Sequence, residues 1–339
     1  GPDDRGRADP AARGPRAAGH GKAASMSLAA CLLTYSLVIA VLGPPLLSRA
    51  TRSGAAPRLG ITAWVAAMTS VLAAWAGAAA LLIVELVTAR GQVDHLLTGC
   101  FATLQVVGRG GYGAFLQVGL VVLAVLAALA VGVLTGRLVW ALRRAYTSTR
   151  QHAQAARLAA AGAPPGPQGA LVIDTDQRGV YCLAGRPPTI VITRAALAAL
   201  DDAQLAAVLA HERAHLIGHH HHLLALARAL AKILPGMRLV TVGATDIARL
   251  VEMSADDAAA RLHGPDTVVD ALLALSRPAG TATEIPALGA VGVGVAQRVE
   301  RLLFPPDRTR ARLTLGLTLG ALLLGPVCTA ALLITGPAL

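Results

Sequence analysis

Residues 205–222 read LAAVLAHERAHLIGHHHH, and inside them His211-Glu212-Arg213-Ala214-His215 forms an HExxH pattern. On a helix, positions i and i+4 share one face, so both imidazoles can reach one metal ion while Glu212 points toward its bound water. The helix is well marked. Asp201 stands where an N-cap would, with Gln204 three residues later as its capping-box partner. Leu205, Val208, Leu209 and Leu216 recur at helical spacing as the buried stripe, with His211 and His215 on a neighbouring face. Burying Glu212 beside apolar packing without a metal or partner is costly, which favours a metal site over a pair of core histidines.

Catalytic zinc usually takes three protein ligands and leaves one position open for water, so a third ligand is needed. Two candidates compete. Continuing the motif gives His211-Glu212-x-x-His215-x-x-Gly218-x-x-His221, which matches the metzincin pattern HExxHxxGxxH. The run His219 to His222 puts a histidine at that offset whatever the register, which weakens the match. The second candidate lies in Ala248-Arg249-Leu250-Val251-Glu252-Met253-Ser254-Ala255-Asp256-Asp257-Ala258. There Glu252 and Asp256 are i,i+4 on one helix face, so Glu252 can bind the metal while Asp256 orients a ligand histidine from behind. The alternative is a solvated acidic helix with Arg249 and Arg261 as partners. Glu252 is the preferred third ligand, completing a His, His, Glu set.

Working outward, 339 residues with 55% hydrophobic and 14% charged content and a mean hydropathy of +0.59 are too apolar for an ordinary soluble domain. Residues 28–47, 59–84, 114–136 and 313–339 are uncharged. Each is long enough to cross a hydrocarbon core of about 30 Å, which takes roughly 20 helical residues. Arg49, Arg52 and Arg58 between the first two spans, and Arg137, Arg143, Arg144, Arg150 and Arg157 after the third, have no acid among them. Both segments read as cytoplasmic by the positive-inside rule. The segment 90–113 carries Arg90 and Arg109 against Asp94 and reads as external. The expected protein is therefore a multi-pass plasma-membrane protein with both termini outside and the HExxH region inside. The formal charge of +11 belongs to a lipid-facing belt rather than to nucleic-acid binding, since aromatics make up only 3%. Cys31, Cys100, Cys182 and Cys328 share no compartment pairwise, so no disulfide framework is expected.

The domain reading follows. Residues 1–25 are polar, rich in Gly, Pro, Ala and Arg, and read as a disordered extension. Residues 26–142 hold three spans, 143–312 a cytoplasmic α+β domain, and 313–339 a fourth span. In the domain, residues 161–167 form a Gly/Pro linker that no helix tolerates. The apolar runs 170–173 and 179–184 flank a polar turn and read as a hairpin. Thr189-Ile190-Val191-Ile192-Thr193 reads as a strand, either one that pairs with a substrate backbone or a plain core strand. Residues 223–234 read as an amphipathic helix on the membrane or against the spans.

The segments Gly185-Arg186-Pro187-Pro188-Thr189-Ile190-Val191-Ile192, Leu205 through His215, and Glu252-x-x-Ala255-Asp256 resemble membrane metallopeptidases of the BlaR/MecR and HtpX/CAAX-protease groups. Arg298-Val299-Glu300-Arg301-Leu302 is similar to a short arginine helix that follows in those families. Three spans before the zinc domain and one after resemble the BlaR/MecR arrangement more closely. The resemblance implies a gluzincin fold with one catalytic zinc held by His211, His215 and Glu252, Glu212 as general base, and Asp256 behind a ligand. It implies regulatory cleavage of the protein itself or of a cytoplasmic transcriptional repressor. The extracellular penicillin-binding sensor of BlaR/MecR receptors is expected to be lacking, so β-lactam sensing is not carried over. The expected partners are the lipid bilayer and a protein or peptide substrate, with no direct nucleic acid. Two other readings are an HtpX-like quality-control protease and a non-catalytic membrane signalling scaffold. For the oxyanion, His222, Arg261 and His263 stand as candidates with nothing in the sequence to choose among them.

Overall fold

A computed structural model describes residues 15–88, 112–161, 164–183, 187–277 and 288–335. The long apolar runs all become helices: α1 (Pro15–Thr51), α2 (Pro57–Thr88) and α3 (Tyr112–Ala159). Within the described residues, Leu28–Thr51 and Pro57–Leu81 are each long and apolar enough to cross a membrane. α3 runs through the apolar segment 114–136 and continues unbroken into its arginine-rich half. The helix α1 takes in residues 15–25, which composition assigns to a disordered extension. Pro15 opens it, where a missing N–H costs nothing, and Ala17, Ala18, Ala23 and Ala24 favour its continuation into the apolar run. Residues 1–14, the segment 90–111 with Cys100, and Gly185-Arg186 lie outside the described residues.

Three short strands follow: β1 (Leu171–Ile173), β2 (Val180–Leu183) and β3 (Thr189–Thr193). The order is β1-β3-β2, with β1 parallel and β2 antiparallel to β3. The expected hairpin of β1 and β2 is therefore corrected: the two never pair, because β3 lies between them. Its β-branched residues are the most buried of the sheet, with Val191 and Ile192 fully enclosed, so it takes the central place. Being paired on both sides, β3 is also the core strand of the two alternatives, and β2 is an edge.

After the sheet come α4 (Arg194–Ala199), α5 (Asp202–Ile217), α6 (His220–Ile233), α7 (Arg238–His263), α8 (Pro265–Ser276), α9 (Leu288–Leu303) and α10 (Arg308–Thr335), the last covering most of the fourth apolar run. α5 packs on β2, α7 and α8, and α6 packs on α7. α6 covers the amphipathic stretch expected over 223–234, but its main packing partner is α7 rather than the membrane or the spans to which that reading assigned it. Leu209 joins Ile190, Ile192 and Ala196 in one core cluster, while Ala207 and Ala210 join Ala259, Val268, Val269 and Leu302 in another. α5 is thus wedged between the sheet and the helical layer.

The chain divides into two compact units. The first comprises Gly1–Ile39, Thr69–Thr135 and Leu322–Leu339. In it the Tyr35 hydroxyl donates to the Leu322 carbonyl at 2.8 Å, and the Trp75 indole N–H donates to Ser36 Oγ at 3.1 Å. Polar side chains in apolar helices thereby find partners, as buried hydroxyl and indole groups must. The second unit comprises Ala40–Met68 and Gly136–Ala321. It draws in the end of α1, the turn after it and the start of α2, which the reading by spans groups with the membrane portion. The reason is visible in the hydrogen bonds: Arg249 donates to the carbonyls of Thr51 at 3.0 Å and Arg52 at 3.1 Å, and Arg301 to that of Gly54 at 3.3 Å. The first of these caps a carbonyl left open at the end of α1, and the other two hold the turn that follows it. Gly54 has φ +63°, and a Cβ there would strike the Met253 sulfur, so only glycine fits the turn.

Candidate metal centre

The capping box predicted for α5 forms in full. Asp201 Oδ1 accepts from the Gln204 backbone N–H at 2.8 Å, and the Asp201 N–H donates to Gln204 Oε1 at 3.2 Å. That start fixes the phase of the helix. Val208 and Leu209 go into the core, and His211 and His215 turn toward α7. α7 in turn brings Glu252 and Asp256 to the same face, as their i,i+4 spacing requires.

His211, His215 and Glu252 each offer one ligand atom, and the three atoms lie within 4.8 Å of one another. His211 Nε2 is 3.0 Å from His215 Nε2, 3.5 Å from Glu252 Oε2, and His215 Nε2 is 3.6 Å from Glu252 Oε1. Zinc–nitrogen bonds of about 2.0–2.1 Å in a tetrahedron separate neighbouring ligand atoms by about 3.3 Å, so this donor set fits zinc. The other ring nitrogens are already engaged. His211 Nδ1 meets Asp256 Oδ1 at 3.1 Å, and His215 Nδ1 meets His220 Nδ1 at 3.1 Å. Each Nε2 is left facing the centre.

Asp256 is wholly buried and held by a two-pronged Arg298, whose Nε donates to Oδ2 at 2.7 Å and Nη2 to Oδ1 at 2.6 Å. Burial alone would raise the Asp256 pKa, but Arg298 and His211 together hold it well below the usual carboxylate range. Arg298 Nη1 also reaches Glu252 Oε2 at 3.4 Å. Burial disfavours a charged His211, yet its hydrogen bonds to Asp256 and Glu252 outweigh that and push its pKa up to about 9. His215, with burial first and the nearby His211 second, is pushed down to about 4. One imidazole is thus tuned by a carboxylate and the other by a neighbouring imidazole.

Glu212 is buried on α5 and faces Cys182 of β2. Burial raises the Glu212 pKa above its ordinary value against the pull of His211. Burial, with Glu212 beside it, pushes the Cys182 thiol up to about 12, which keeps it protonated. Cys31 and Cys182 are both free.

The sequence-predicted residues His211, Glu212, His215, Glu252 and Asp256 are therefore brought together. The rival third ligand His221 is not, although His220 of the same run meets His215 Nδ1 at 3.1 Å. α5 ends at Ile217, and His219, with φ +50°, makes the turn into α6. His221 contacts the rings of His219 and His222 and leaves its Nδ1 buried without a partner. Arg249 pairs with Asp246 instead of the Glu252 and Asp256 pair. Arg261 and His263 line a separate cavity whose wall includes neither His211, His215 nor Glu252. Three residues of the site escape sequence reasoning. Arg298 stands in the arginine helix that the resemblance singles out, but the sequence gives it no role in the site because its carboxylate partner lies 42 residues away. His220 is masked by its identical neighbours, and Cys182 reaches Glu212 only through the packing of β2 on α5.

The family model described as Peptidase family M48 matches residues 145–338, from the second half of α3 through α10. No curated protein and no solved structure gives a match.

Proposed function

Because this chain belongs to peptidase family M48, which matches more than half of it, we propose that it is a membrane-held, zinc-dependent endopeptidase. His211, His215 and Glu252 hold the metal, Glu212 is the general base, and Asp256 orients His211. The observation that carries this reading is the convergence of the three ligand atoms at 3.0–3.6 Å with both Nδ1 atoms engaged elsewhere. Bound zinc supplies Lewis-acid polarisation of the scissile carbonyl and lowers the pKa of a water toward neutrality.

The chain's own residues do the rest. Glu212 accepts a proton from the attacking water and returns it to the leaving amine, so that water and amide become acid and amine. Its raised pKa suits a carboxyl that must hold that proton between the two steps. Asp256, kept ionised by Arg298, fixes the ring of His211. The free edge of β2, which carries Cys182 next to Glu212, receives the substrate backbone as an added strand. This moves the substrate-binding role from β3, where one of the sequence readings put it.

Two candidate spans support the membrane setting. The turn between them belongs to the same compact unit as the metal centre, which supports placing both on one face, read as cytoplasmic from its arginines. The order of apolar segments, three before the site and one after, resembles the BlaR/MecR arrangement, and regulatory cleavage of the protein itself or of a repressor rests on that resemblance. In detergent, Glu212→Gln is expected to keep its zinc and to cleave casein on the order of 10² to 10⁴ times more slowly than wild type. Equal cleavage by the two would sink the peptidase assignment. Incubated with zinc, the wild type should also yield fragments of its own chain that Glu212→Gln does not. A wild type that stays whole and degrades unfolded proteins indiscriminately would remove the regulatory part.

A further inference from the structure

A cavity of the second unit is lined by none of the three residues that converge as metal ligands. It measures about 710 Å³, inside the range of roughly 300–1,000 Å³ typical of small-molecule sites. Its charged lining is Arg58, Arg213 and Arg261, beside the imidazoles of His220 and His263, and contains no carboxylate. None of the three arginines makes an ion pair among the described residues. Its remaining wall is largely apolar, including Ile61, Ile217, Leu223 and Leu262, and Ile217 and Leu262 are 78% and 74% exposed. A smaller cavity of about 220 Å³ shares Arg58 and Arg261 and adds Arg308 and Arg312. Its single acid, Asp257, pairs with Arg301 at 2.9 Å and with the lining Arg308 at 3.8 Å.

From this we infer that the cavity is a binding site for an anionic phospholipid. Like charges gathered around one opening repel each other unless an anion joins them. The anion that fits must also carry apolar chains, because a free phosphate would leave Ile217, Leu223 and Leu262 against water. The position agrees with this. Arg58 and Ile61 lie in the first turns of α2, at the start of the candidate span Pro57–Leu81. That is the depth at which headgroups meet protein and at which arginines attract anionic lipid. His220 belongs both to this cavity and to the metal centre, where it touches His215. A seated lipid therefore lies against the residue that orients one metal ligand.

The inference rests on the membrane reading above, and the experiment separates the two. Native mass spectrometry of the full chain in neutral detergent follows titration with dioctanoyl-phosphatidylglycerol, dioctanoyl-phosphatidylcholine and glycerol 3-phosphate. These soluble probes test the cavity without requiring insertion, while alkaline carbonate extraction of native membranes tests the insertion alone. Phosphatidylglycerol should saturate at one bound molecule per chain, at least about tenfold tighter than the other two. The double variant Arg58→Ser/Arg261→Ser should lose about tenfold or more of that affinity. Both side chains are exposed and unpaired, so their removal leaves no buried partner. Leu262→Glu, a change of exposed charge at the same cavity, should weaken phosphatidylglycerol in the same direction. Arg150→Ser on α3, outside the cavity, should bind as wild type does. Equal binding of phosphatidylcholine would mean an ordinary lipid contact, and equal binding of glycerol 3-phosphate a free-anion site. Either result, or undiminished binding by both cavity variants, overturns the inference.

Discussion

Asp256 has no exposed surface and satisfies two partners at once, Arg298 on one side and His211 on the other. Removing it as Asp256→Ala takes both short hydrogen bonds from the part-buried Arg298 guanidinium and leaves it only Glu252 at 3.4 Å, a loss toward the lower end of about 3–5 kcal/mol in unfolding free energy. The same variant frees the His211 ring and should weaken zinc about 10- to 100-fold, measured by competition with a chromogenic chelator. His220→Ala removes the partner of the other ligand. It should also cost on the order of tenfold in zinc affinity, whereas His222→Ala, whose ring packs against those of His219 and His221, should cost little. Zinc binding unchanged in His220→Ala would remove its orienting role. The first of these partnerships was legible beforehand, because Glu252 and Asp256 share a helix face by spacing alone. The second was not: four consecutive histidines look alike until the turn at His219 decides which of them faces His215.

Among the elements, α5 depends most on its own ends. Asp201→Ala deletes one half of the capping box and should cost about 1 kcal/mol by denaturant unfolding, without altering zinc content. At its other end His219 takes a left-handed conformation, φ +50°, in a region that costs a non-glycine residue roughly 1 kcal/mol or more. His219→Gly should therefore stabilise by about 0.5–1 kcal/mol, and a destabilised variant would mean that the His219 ring contacts outweigh the relief of strain. The sheet marks where reading by pattern ran out. Strand positions followed from β-branched runs and a polar turn, which are local signals. Their pairing did not, since the parallel β1 and β3 partnership joins residues about twenty apart and competes with a nearby hairpin that looks equally good on paper. Burial decided it, because the most apolar strand takes the place with neighbours on both sides.

In the whole molecule, the turn after α1 and the beginning of α2 belong to the unit that carries the metal centre. Ser53 and Asp176 are exposed in that unit, so Ser53→Cys and Asp176→Cys, with the native cysteines replaced, should react with a membrane-impermeant maleimide from the same side. Labelling from opposite sides would overturn the proposed topology. What the sequence determined alone is whatever a helix expresses in its own spacing: the apolar runs, the capped HExxH helix, and the Glu252 and Asp256 pair. Each depends on residues within a few positions of one another, and helical periodicity converts that directly into a shared face. The tertiary structure decided the rest: the strand order, the convergence of Glu252 rather than His221 on His211 and His215, the Arg298 clamp on Asp256, and the hold of Arg249 and Arg301 on the turn after α1. Those depend on which buried charges and open carbonyls meet across tens or hundreds of residues, and the cost of leaving such groups unpaired selects the partner only once the chain is packed.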